Sequence, residues 1–151
     1  MLEAQIPFHS KRLVHCAIEP QHIWRASNTG SLRLINLGLS QRLAAYLELR
    51  SPEAHKGFNQ EHSYMAIEQR IGQPELASDV YSVGLIALQL LTGKTPAELT
   101  NVLLSSDSFS QRLPSVPASM LGFFAKMLAQ DSQERYASAM EALKDLDDWR
   151  L

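Results

Sequence analysis

The sequence predicts a mainly α-helical domain with one small β-hairpin near its start. Three observations predict it. The middle of the segment from Ser78 to Leu91 is apolar on every side, the mark of a helix buried by its neighbours. Helix-capping pairs recur further on, Thr95 with Glu98 and Ser138 with Glu141. Two short β-prone runs, Ile23-Trp24-Arg25 and Leu32-Arg33-Leu34-Ile35, flank the turn signal Ser27-Asn28-Thr29-Gly30.

Taken in order, residues 1–12 read as a weakly amphipathic helical end broken by Pro7, and Pro20 interrupts the run that follows. After the hairpin, residues 36–74 show no sustained period and carry Pro52, Gly57, Gly72 and Pro74. A loop of that length in a compact domain is expected to be functional. Ser78 is expected to cap the buried helix, and Gly93 to stop it. Thr95-Pro96-Ala97-Glu98 starts a short helix to about Leu104, and a polar, turn-rich stretch runs from Ser105 to Ser115. Pro117 opens a helix with an apolar stripe of Met120, Phe124, Met127 and Leu128. The last helix sets Ala139, Ala142, Leu143, Leu146 and Trp149 on one side. These aromatic and methionine positions are core positions rather than a cofactor box.

A chain of 151 residues is expected to form a single domain, 1–151, with a substantial core. The net charge of −2 argues against nucleic acid as an obligate partner. Basic residues lead in the first third, but as part of a mixed solvated surface. Cys16 is the only cysteine, so an intrachain disulfide is impossible and a reducing, cytoplasmic setting fits. The start has the pattern of no secretory signal. The longest apolar stretch, Val83 to Leu91, falls far short of the roughly 20 residues that a bilayer requires, so no membrane insertion is expected. His9, His15, Cys16 and His22 fit no common zinc spacing, so no metal is expected. Cys16 beside a histidine lacks an orienting acid, which argues against a nucleophile.

Four segments carry a family resemblance. Leu13-Val14-His15-Cys16-Ala17-Ile18-Glu19-Pro20-Gln21-His22-Ile23 resembles a protein kinase catalytic loop, whose pattern is H-R-D-x-K-P-x-N. Leu34-Ile35-Asn36-Leu37-Gly38-Leu39 resembles the strand and D-F-G that follow it. Tyr64 to Gly93, YMAIEQRIGQPELASDVYSVGLIALQLLTG, resembles the A-P-E segment and the central helix of the helical lobe, the C-lobe. Gln133-Glu134-Arg135-Tyr136 resembles the turn that carries the family's last arginine. The likeness is nearest to the eukaryotic-type Ser/Thr kinases of bacteria. It implies a C-lobe-like fold, with a catalytic-loop-like stretch at 13–23, an activation-segment-like stretch at 36–68 and a helical core at 76–151. The N-lobe is expected to be absent, because only fourteen residues precede His15.

The resemblance implies that the chemistry is lost. Phosphoryl transfer relies on a base for the hydroxyl, oxygen ligands for magnesium and a lysine on the phosphates. Ala17 stands at the base position, Glu19 at the lysine, His22 at the metal-ligating asparagine and Asn36 at the metal-ligating aspartate. Cys16 replaces the arginine that grips an activation-loop phosphate, and Glu61 the usual threonine before Tyr64. Imidazole suits magnesium poorly, since that hard cation prefers oxygen. The same comparison implies scaffold roles for His15, for Asp79 under the catalytic loop, and for Glu68 paired with Arg135. Ile67 departs from the family's proline.

The reading is therefore a pseudokinase module with a scaffolding or regulatory role, without cofactor, ATP or magnesium. Trp24, Leu34, Leu37 and Leu39 would be uncovered without an N-lobe. With the 39–63 loop they form an expected face for a protein partner, a second copy or a missing segment of the native polypeptide. The alternatives are half of a split kinase that needs an N-lobe from another chain, and a non-functional fragment of a larger protein.

Overall fold

The computed structural model describes residues 1–36, 64–104 and 109–148. It is mainly helical, with a two-stranded antiparallel sheet. Helix α1 spans Leu2–His9, strands β1 and β2 span Ile23–Arg25 and Leu32–Leu34, and a one-turn helix α2 spans Ile67–Arg70. The long helix α3, Leu76–Thr92, is followed by α4 (Pro96–Leu103), the short α5 (Phe109–Arg112), α6 (Ala118–Met127) and α7 (Ala139–Asp148). Single 3-10 turns cover Pro20–His22 and Ser132–Glu134.

Helix α3 is the axis of the core. Val80, Leu85 and Leu88 are fully enclosed by side chains that include Leu99 of α4, Phe124 and Met127 of α6 and Ala142 of α7. Gly84 lets α6 come close: a Cβ there would stand 3.1 Å from Met127 Cβ and 3.2 Å from Leu128 Cδ2. The helix ends as the sequence predicts, on Gly93 in the left-handed region at φ 70°. It starts earlier than predicted, with Glu75 at the cap. Ser78 sits one turn inside and reaches back, its Oγ accepting from the Glu75 N–H at 3.0 Å. The Thr95 box forms: the Glu98 N–H donates to Thr95 Oγ1 at 3.3 Å and the Thr95 N–H to Glu98 Oε2 at 2.7 Å.

Helix α1 runs through Pro7 rather than breaking there. The ring removes one backbone donor. Burial of Leu2, Gln5 and His9 against the core offsets that loss. The hairpin forms with Ile23 opposite Leu34, Trp24 opposite Arg33 and Arg25 opposite Leu32. Directly paired residues share a face of a sheet. Ile23 and Leu34 therefore lie together and pack on the core. Trp24 lies on the other face, 63% exposed. The expected single apolar face through Trp24 and Leu34 is thus divided by the strand's own alternation, while Leu37, Leu39 and the whole of the 39–63 loop lie outside the described residues. No single helix among the described residues is long and apolar enough to cross a membrane.

Candidate functional site

The candidate site is the loop from Leu13 to His22, and its geometry is set by one carboxylate. Asp79, in the first turn of α3, is completely buried. Its Oδ2 accepts from the His15 backbone N–H at 2.6 Å and its Oδ1 from the Cys16 N–H at 3.1 Å. Two successive N–H groups thus converge on a single anion, which holds the loop's backbone as a unit. Cys16 lies in the left-handed region at φ 63°, a conformation that costs a non-glycine residue roughly 1–2 kcal/mol. Asn36, at the far side of the hairpin, is left-handed as well at φ 65°.

His9 is a third partner that sequence reasoning set aside with the rejected zinc group. Its Nδ1 accepts from the Ala139 N–H at 3.0 Å, at the start of α7. The proton therefore sits on Nε2, which donates to Asp79 Oδ2 at 3.2 Å. Gln5, one helical turn before His9, donates through Nε2 to the Asp79 carbonyl at 3.0 Å. The signal was present in the sequence: a Gln and a His four apart share one face of a helix. Pro7 between them concealed it.

His15 is fully buried, edge-on to the Phe8 ring, and its Nδ1 accepts from the Ala17 N–H at 3.3 Å. Burial lowers its pKa, against the opposing pull of Asp79. Cys16 is buried too, and burial together with the Asp79 charge pushes its thiol up to about 12. Such a thiol is no nucleophile at neutral pH.

The side chains that line the loop carry little chemistry. Ala17 presents a buried methyl. His22 turns back on the loop and donates through Nδ1 to the Ala17 carbonyl at 2.7 Å. Glu19 accepts from Gln21 Nε2 at 2.6 Å. No group of three or more His, Cys, Asp or Glu among the described residues could hold a metal ion. Glu61 lies outside the described residues.

A second buried anchor lies some way along the chain. Glu68 Oε1 and Oε2 accept from Arg135 Nη1 and Nη2 at 2.5 and 3.2 Å, a two-pronged pair. Ser78 Oγ donates to the same carboxylate at 2.6 Å. Arg135 also donates to the Ala129 and Gln130 carbonyls and lies 4.9 Å over the Tyr81 ring. Burial alone would raise the Glu68 carboxyl, but the bonds from Arg135 and Ser78 hold it below its ordinary value. Ile67 at the start of α2 is exposed beside this anchor.

The protein kinase domain family model matches residues 1–146, nearly the whole of this arrangement. This chain belongs to the protein kinase domain family. Among its relatives are the serine/threonine-protein kinase PknA of Nostoc sp., 30% identical over 140 residues, and serine/threonine-protein kinase C of Synechocystis sp., 31% identical over 135 residues. These matches cover 91% and 87% of this chain but 25% of each relative. PknL of Mycobacterium tuberculosis is 32% identical over 148 residues, which is 92% of this chain and 36% of that protein. The solved PpkA-294 apo form superimposes with a TM-score of 0.71 at 16% identity, over 95% of this chain and 50% of that one. The fold is that of the helical lobe of a kinase, and the chain spans about a quarter of the length of the first two kinases.

Proposed function

We propose that this chain is a catalytically inactive kinase-like module that acts by holding or regulating a protein partner. One observation carries the reading: Asp79 holds the catalytic-loop backbone, yet the base position is the buried methyl of Ala17. A methyl accepts no proton, and loss of a general base alone costs roughly 10²–10⁴ in rate. The neighbouring positions support it. Glu19 would repel a phosphate, and His22 spends its Nδ1 on the loop's own carbonyl. The neutral amide of Asn36 is a weaker partner for magnesium than a carboxylate.

The test is a pair of measurements on the purified chain: thermal unfolding with and without ATP and magnesium, and transfer of labelled γ-phosphate to itself or a generic protein substrate. Inactivity predicts no shift and no label. A second reading rests on the share of each relative that is matched: a kinase half completed by an N-lobe from another polypeptide. A melting shift with ATP and magnesium, or label once an N-lobe is added, would favour that reading and sink the first.

A further inference from the structure

We draw no further inference here: the strongest candidate, the apolar groove between α1, α3, α6 and α7 with Met120, Phe123, Leu143 and Leu146 on its walls, carries nothing because no feature of the structure shows what covers it.

Discussion

Removing the Asp79 carboxylate is expected to cost more than any other single change in the loop's support. In Asp79→Ala two buried backbone donors, the His15 and Cys16 N–H groups, lose their acceptor. Each buried donor left unsatisfied costs about 1–3 kcal/mol, so the pair costs about 2–6 kcal/mol. His9 Nε2 loses its acceptor as well, which adds to the loss. Relief of the left-handed Cys16 returns at most about 1–2 kcal/mol. The net expectation is about 3–5 kcal/mol, a large share of the roughly 5–15 kcal/mol that a domain possesses. Asp79→Asn keeps one acceptor oxygen and should lose about half as much. Equilibrium urea unfolding measures both, with the midpoint falling and the slope unchanged. A loss under about 1 kcal/mol in Asp79→Ala would refute the reasoning, because it would mean that water or another group satisfies those donors.

Four further outcomes are expected. Arg135→Ala should destabilise by about 3–5 kcal/mol in the same unfolding assay, because it strands the Glu68 carboxylate. Two pH effects add to each other. Glu68 is depressed, so its contribution is complete above its unfolded value of 4.5 and is lost as pH falls through the folded pKa. His15 is also depressed, so stability begins to fall below its unfolded value of 6.5, where only the unfolded chain takes up the proton. A wild-type melting temperature that rose relative to that of His15→Gln between pH 7 and pH 5 would contradict this. Gly84→Ala gains about 1 kcal/mol of helix propensity but meets Met127 Cβ at 3.1 Å, a backbone-fixed neighbour. Overpacking of about 1–3 kcal/mol should win, which calorimetry would register as a lower melting temperature. Finally, Cys16 should react with a thiol reagent at pH 8 on the order of 10³-fold more slowly in the native than in the unfolded chain.

Much of the architecture was legible because its signals are local. Gly93 and the Thr95–Glu98 box announce their helix ends through backbone chemistry that neighbours seldom override. The all-apolar middle of α3 could only be an enclosed helix. The positions of Asp79, Glu68 and Arg135 came from the family likeness, since nothing in their local sequence links residues so far apart. The missed features have other causes. Helices α2 and α5 are four residues each, too short to leave a period. The continuation of α1 past Pro7 depends on tertiary burial of Leu2, Gln5 and His9. The division of Trp24 from Leu34 depends on strand register, which a three-residue strand does not declare by itself.

The convergence at Asp79 also bears on how the chain folds. His9, His15 and Cys16 reach it across sequence separations of 70, 64 and 63 residues, and His9 reaches Ala139 across 130. None of these bonds rewards a partly assembled chain, because closing such long loops costs entropy before any contact is made. The two ends must meet beside α3 before the central carboxylate is satisfied. Folding should therefore be slow and all-or-none for a helical protein of this size. Truncation of α1 or α7 removes the means of assembly for the whole lobe, not a peripheral turn.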